Sequence, residues 1–398
     1  MPYPRIKLKR GSERSLFAGH PWVYSGAVAQ APEGLEAGEV VDICTGRDRF
    51  IGRGHYNPRS LIRARLLSRD ADAALDAAFF SGRIARAVEL RDSPLLRHTD
   101  ARRLVHGESD GLPGLVVDDY AGFLVVQFHT SGMERQRETI LDALEDAVRP
   151  RGIFERSDVG TRRAEGLKDR PSGPLRGEKP PELIEIKEGE TRLFVDVYRG
   201  QKTGFFLDQR ENRLLLGRLA EGARLLNCFA YSGGFSAHAL RGGAASTLDV
   251  DVAPAAVSAA RANWGANAGA DARTNYLLAD LFPWLDHQAE KGPRFDAVVV
   301  DPPSLLRKRS DIKKAMGVYT KLNRNALKLV RDGGLLVTAS CSSRINQEDF
   351  FQAVRRAADG ADVGLKILAY NLHPPDHPVD PAFPEGRYLK CIFARVLR

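Results

Sequence analysis

The sequence predicts a doubly wound α/β domain in its C-terminal half, preceded by a small β-rich module and a small α+β unit. Three observations predict this. From about residue 193, apolar strands alternate with helix-like stretches. Residues 1–72 hold short alternating segments punctuated by Gly and Pro. The length of 398 residues exceeds what one ordinary core organises.

In the first module, 1–72, the runs Glu39-Val40-Val41-Asp42-Ile43 and Leu61-Ile62-Arg63-Ala64-Arg65-Leu66-Leu67 read as strands. Period-two alternation presents Arg63 and Arg65 on one face of the second, where they are expected to contact RNA. The central unit, 73–190, starts with an Ala-rich helix over 73–92. The turn Gly111-Leu112-Pro113-Gly114 leads into Leu115–Asp118, and Asp119–Gly122 turns the chain back into Phe123–Phe128 as a hairpin. A helix over 133–148 and strands at Ile153–Glu155 and Leu183–Ile186 complete it. Between those strands, 157–181 has few large apolar residues and much Arg, Gly and Pro, so a mobile basic loop is expected. In the last domain, 191–398, strands are expected at 224–228, 245–250, 274–278, 295–300 and 335–339, all parallel, with helices at 234–242, 253–268, 312–331 and 346–358.

Hydrophobic content of 43% with 28% charged residues is that of a soluble globular chain. No apolar run reaches the roughly 20 residues of a membrane span, and the basic N-terminus has no apolar stretch behind it, so neither a membrane nor secretion is expected. Cys44, Cys228, Cys341 and Cys391 form no CxxC pair. This predicts no disulfide framework, no metal centre and a cytoplasmic location. The net charge of +8 is unevenly placed. Residues 307–331 hold nine Lys/Arg against one acid, Asp311. Such a stripe suits a phosphate backbone, with Lys308, Arg309, Lys313 and Lys314 nearest the candidate site.

Ligands of doubly wound sheets lie at the carboxyl ends of the strands. Four strand ends carry suitable residues here. Asn227 leads into the glycine-bearing turn Phe229-Ala230-Tyr231-Ser232-Gly233-Gly234-Phe235. Asp251 lies 18 residues beyond Gly233, and Asp280 and Asp301 follow at the next two strand ends. An acid about 20 residues after a glycine turn suits ribose hydroxyls, but the turn lacks the GxGxxG spacing of a pyrophosphate cradle. The combination points to S-adenosylmethionine, which has a ribose and an adenine but no phosphate. Asp251 is expected at the ribose, ahead of Asp249, and Asp280 at the adenine amine.

Cys341 ends the apolar run Leu335–Ala339 in the context Ser340-Cys341-Ser342, 40 residues after Asp301-Pro302-Pro303-Ser304. If the two strands are neighbours, thiol and carboxylate share one crevice. Carbon 5 of cytosine is a poor nucleophile until a thiolate adds to carbon 6, and that chemistry needs such a pair. Methylation of an exocyclic amine typically uses Asp/Asn-Pro-Pro followed by an aromatic residue, where this chain has Ser304. Cys228 reads as packing or cofactor wall, and Cys44 and Cys391 as structural. Alternative readings are an RNA methyltransferase acting on a purine nitrogen, a non-catalytic assembly factor, an NAD-dependent oxidoreductase and a serine hydrolase. The last two lack their GxGxxG and GxSxG motifs.

The chain resembles the bacterial 23S ribosomal RNA cytosine-C5 methyltransferase I family. The resemblance rests on His20–Gly26, Gly111–Asp118, Lys202–Arg210, Asn227–Phe235, Asp301-Pro302-Pro303, Ser340-Cys341-Ser342, Asp376-His377-Pro378 and Pro384–Lys390. It implies an N-terminal PUA RNA-binding domain, a central α+β domain and a Rossmann-like class I methyltransferase domain. It also implies that Phe206, Asp208 and Arg210 lie near the cofactor and that Cys341 is the nucleophile; Pro302, next to Asp301, is expected at the cofactor as well. The implied partner is 23S ribosomal RNA, with a homodimer left open. Ser304 departs from the family, where a lysine is frequent, and the segment 157–181 is longer and more basic.

Overall fold

The computed structural model describes residues 3–305 and 311–398. Lys308 and Arg309 therefore lie outside the described residues. The chain forms two compact units. The first comprises residues 1–184, 201–205 and 375–386; the second comprises 185–200, 206–374 and 387–398.

The first unit contains a six-stranded sheet in the order Trp22–Tyr24, Ile62–Ser68, Phe50–Tyr56, Val40–Cys44, Arg5–Leu8, Val28–Gln30. Alternation sends Ile6, Leu8, Val41, Ile43, Ala64 and Leu66 into its core. Arg63 and Arg65 share the opposite face but are not presented to solvent as expected. Arg65 is held 2.8 Å from Glu165, and Arg63 Nη1 donates to the Asn57 carbonyl at 3.1 Å. The acid that claims Arg65 comes from distant sequence, while Arg63 is held by a carbonyl six residues away.

A second sheet runs Gly173–Gly177, Gly152–Glu155, Phe123–Phe128, Leu115–Tyr120, Ala101–His106. Helices Ala77–Arg91 and Arg137–Val148 send Phe80, Ile84, Ile140 and Leu144 against Val117, Leu124 and Val126. The expected hairpin forms with Tyr120 opposite Phe123, turning through Ala121 and Gly122, both at positive φ. The strand expected at 183–186 is Ile184–Glu188, which pairs outside this sheet with Thr191–Val195.

The segment 157–181, expected as a loop, holds regular structure. Gly173–Gly177 is a strand of the sheet, and Thr161–Ala164 is a helical turn. Arg162, 2% exposed, donates to the Phe128 carbonyl at 2.6 Å and to Glu134 at 2.7 Å. Glu165, 4% exposed, accepts from Ser60 Oγ at 2.6 Å and Asn57 Nδ2 at 2.9 Å. Paired buried charges anchor this segment where apolar side chains usually do, so its composition misled. Removing one partner of a buried pair typically costs about 3–5 kcal/mol. Arg162→Ala is therefore expected to lower the melting temperature of this unit by several degrees in calorimetry.

The second unit is built on a seven-stranded sheet. Its strands are β1 (Arg224–Cys228), β2 (Ser246–Asp251), β3 (Arg273–Leu278), β4 (Phe295–Val300), β5 (Val330–Ser340), β6 (Gly364–Asn371) and β7 (Lys390–Leu397). The spatial order is β3-β2-β1-β4-β5-β7-β6. Strands β1 to β5 are parallel, whereas β7 runs antiparallel to both β5 and β6. The sheet is thus mixed, a correction to the wholly parallel expectation. The polar, Pro-rich stretch before β7 hides its last hairpin. Central strands are covered on both faces, with Leu226, Val298 and Leu336 in one core and Leu225, Val299 and Val337 in the other, which explains their unbroken apolar runs. Helices follow at Gly234–Arg241, Val257–Asn267, Leu281–Lys291, Ile312–Leu329 and Gln347–Asp359. The third of these was not expected from the sequence. No helix among the described residues is long and apolar enough to cross a membrane.

Candidate active site

The turn leaving β1 is strained and clamped. Phe229 and Tyr231 have φ of 60° and 48°, and Gly233 has 69°. Left-handed backbone costs a non-glycine residue about 1–3 kcal/mol and persists only where the surroundings fix it. Asp251, at the end of β2, accepts the Tyr231 N–H at 2.9 Å. The Tyr276 hydroxyl, from β3, donates to the Tyr231 carbonyl at 2.8 Å. Asn263 Nδ2 donates to the Ser232 carbonyl at 2.7 Å. At Gly233 a side chain is excluded by φ and by space, since a Cβ would stand 2.6 Å from Asp249 Oδ2. Gly234 and Phe235 then open the helix Gly234–Arg241.

The residues around this turn fit S-adenosylmethionine. Asp251 uses one lone pair of each oxygen on Tyr231 N and Ala253 N, at 2.9 Å each, and keeps acceptor capacity for hydroxyls. Ser232 Oγ is buried with no partner among the described residues, and the turn 229–236 lacks the GxGxxG spacing of a pyrophosphate cradle. Aromatic walls complete it. Phe206 meets Tyr231 edge-on at 5.4 Å, and Phe229 meets Phe282 at 6.0 Å. Asp280 is exposed and caps the helix Leu281–Lys291 by accepting the Phe282 N–H at 3.0 Å.

Two residues expected at the cofactor are enclosed instead. Arg210 is fully buried, with Nε 3.3 Å from Glu211, and Asn227 donates to Ser236 Oγ at 3.1 Å. A sequence pattern does not distinguish a residue lining a site from one packed beneath it. Asp249 is likewise enclosed, hydrogen-bonded by Ser236 Oγ and Trp264 Nε1. Burial pushes its carboxyl up to about 7. The folded state therefore binds this proton more tightly than the unfolded chain. The stability it contributes is complete below the ordinary carboxylate range and is lost as pH rises through about 7. Asp249→Asn is expected to flatten the fall in melting temperature between about pH 4 and about pH 7. An unchanged pH slope would assign that fall to other groups.

The thiol and the second carboxylate meet at neighbouring strand ends. β4 and β5 are adjacent and parallel, with Val300 opposite Thr338. Asp301 leaves β4 at once and Cys341 follows the last residue of β5. Cys341 Sγ lies 3.8 Å from the Pro302 carbonyl. Cys341 is half-buried, whereas Cys44, Cys228 and Cys391 are buried. Asp208 accepts from the Tyr388 hydroxyl at 2.8 Å, and its other oxygen is buried with no partner among the described residues. Burial, and then the charge of Asp208, pushes Asp301 up to about 7. Burial, and then the charges of Asp301 and Asp208, pushes the Cys341 thiol up to about 12. The pair thus offers a carboxyl that exchanges protons near neutrality beside a thiol held protonated. Pro303 and Ser304 are exposed.

The basic stripe is weaker than its count. Lys321 bonds Asp286 and Arg331 bonds Asp296, each at 2.7 Å. Lys313 and Lys314 are exposed at the start of the helix Ile312–Leu329. Sequence reasoning missed Tyr276 and Asn263, and it quoted Tyr388 and Lys390 only within the matching run Pro384–Lys390, with no role for either.

Residues 6–69 match a PUA-like domain, and residues 102–390 match the S-adenosylmethionine-dependent methyltransferase family. The ribosomal RNA large subunit methyltransferase I of Escherichia coli K12 is 38% identical over 394 residues, covering 99% of each chain. The chain belongs to this methyltransferase I family. The protein of the E. coli O1:K1 strain matches equally, at 38% over 394 residues and 99% of each chain. A solved Streptococcus mutans structure, described as an S-adenosylmethionine-dependent methyltransferase, has a TM-score of 0.83. It is 23% identical and covers 99% of this chain and 100% of its own. A methyltransferase solved with S-adenosylhomocysteine has a TM-score of 0.84, at 23% identity and the same coverage. These two likenesses show the fold. This member of the methyltransferase I family is an S-adenosylmethionine-dependent enzyme.

Proposed function

We propose that the protein methylates carbon 5 of a cytosine in large-subunit ribosomal RNA, with Cys341 as covalent nucleophile. The observation that carries this reading is the convergence of a half-buried thiol and a proton-exchanging carboxyl at the ends of β5 and β4. The E. coli relatives carry large-subunit ribosomal RNA in their name, which supports the choice of nucleic acid.

S-adenosylmethionine, when bound, supplies an electrophilic methyl group. Asp251, Ser232 and the Phe206 and Phe229 walls orient it at the ends of β1 and β2. Asp301 takes the Cys341 proton and passes it to N3 of the cytosine. Sγ bonds to carbon 6 as the C5=C6 pair shifts towards N3, which leaves carbon 5 electron-rich. Once carbon 5 carries the methyl group, N3 returns its proton to Asp301 and the carbon-5 proton leaves to water. The C5=C6 bond then re-forms and Cys341 departs with its electron pair. Lys313 and Lys314 hold the neighbouring phosphates, which position the RNA without reading its bases. The target base must be unpaired or flipped out to reach Cys341.

The test is covalent trapping. Large-subunit RNA substituted with 5-fluorocytidine cannot lose a proton at carbon 5. It is expected to leave an adduct on Cys341 that survives denaturing electrophoresis in the presence of cofactor. Methyl transfer without any such adduct would refute the covalent route.

A further inference from the structure

Lys390, the first residue of β7, is a lysine almost without exposure (2%). A buried ammonium is costly unless its donors are used. Its Nζ reaches three backbone carbonyls: Ser342 at 2.5 Å, Ile345 at 2.7 Å and Tyr388 at 2.8 Å. An ammonium has three N–H donors and no acceptor, so three carbonyls select the charged form and leave no lone pair for use as a base. Two of those carbonyls belong to the loop that begins immediately after Cys341. β7 lies beside β5, with Ser340 opposite Lys390, so the lysine stands on the neighbouring strand opposite the residue before Cys341.

We propose that Lys390 is a positioning residue for Cys341. Its ammonium pins the loop 342–345 and sets a fixed positive charge behind the thiol, favouring the thiolate at the moment of attack. The inference rests on the reading of Cys341 as nucleophile and deepens it. The charged groups facing Cys341 are Asp301 and Asp208, which disfavour the thiolate, and Lys390, which favours it. Burial also lowers Lys390 to about 8, with the nearby Cys341 opposing the shift. The ammonium still predominates at neutral pH, and three carbonyls hold it in place. The Tyr388 carbonyl in that cradle belongs to the residue whose hydroxyl bonds Asp208, so the lysine and the carboxylate are held by one short segment.

The experiment is the pH profile of Cys341 alkylation by iodoacetamide, followed by peptide mass spectrometry in the full-length protein. Lys390→Met removes the charge and keeps the length. It is expected to move the profile up by about one pH unit, a roughly tenfold slower alkylation at fixed pH, with S-adenosylmethionine affinity by calorimetry unchanged. Lys390→Arg keeps a charge and is expected to restore most of the rate. Should the Met variant fail to bind cofactor, Lys390→Gln carries the same test, since it still donates but is neutral. A profile in either neutral variant that superimposes on the parent overturns the proposal. The reading of Cys341 as nucleophile is tested separately. Methyl transfer that survives Cys341→Ala removes that reading and leaves the alkylation profile intact as a measure of the coupling.

Discussion

Cys341→Ala is expected to lower methyl transfer to RNA by about four orders of magnitude, in line with losses of other covalent nucleophiles. Cofactor affinity should stay within about twofold, because the turn 229–233 is clamped by Asp251, Tyr276 and Asn263 and not by the thiol. No other cysteine can substitute. Cys228 and Cys391 are buried strand residues whose thiols burial pushes further up, and Cys44 lies in the N-terminal sheet. Single-turnover transfer of labelled methyl, paired with calorimetry, separates the two effects. Retention of more than a tenth of the parental rate would contradict covalent catalysis.

Asp251→Ala has the second large effect, on binding. A hydrogen bond to a charged partner is worth about 1.5–3 kcal/mol, so losing the ribose contact weakens S-adenosylmethionine by more than about tenfold. The loss goes beyond one contact. Asp251 also holds the Tyr231 and Ala253 N–H groups, so its loss also loosens the positive-φ turn at Tyr231. Asp251→Asn, which keeps an acceptor oxygen, should lie between the two. Equal affinities for all three proteins in calorimetry would place the ribose contact elsewhere.

The sequence made some levels of this structure legible and concealed others. Strands buried on both faces announce themselves as apolar runs, so β1, β2, β4 and β5 and the residues at their ends were readable. The terminal hairpin was not. β6 is half exposed, and a polar, Pro-rich stretch separates it from β7. The same blindness affected 157–181, where Arg162 and Glu165 supply the anchoring and apolar counting sees nothing. At the site, the side chains proposed to react stand at strand ends and could be named. Their supports could not be, because Tyr276, Asn263 and Lys390 act on backbone groups of distant segments. The Arg65–Glu165 pair makes the same point for the expected RNA face, since a cation's availability depends on acids that no local pattern reveals.

The most direct test of the central claim is nucleoside mass spectrometry. Large-subunit ribosomal RNA lacking its natural methylation is incubated with the protein and methyl-labelled S-adenosylmethionine, then digested to nucleosides. The geometry of Cys341 and Asp301 predicts label in 5-methylcytidine and its disappearance with Cys341→Ala. Label in a methylated guanosine or adenosine, or on the exocyclic amine of cytidine, would contradict it.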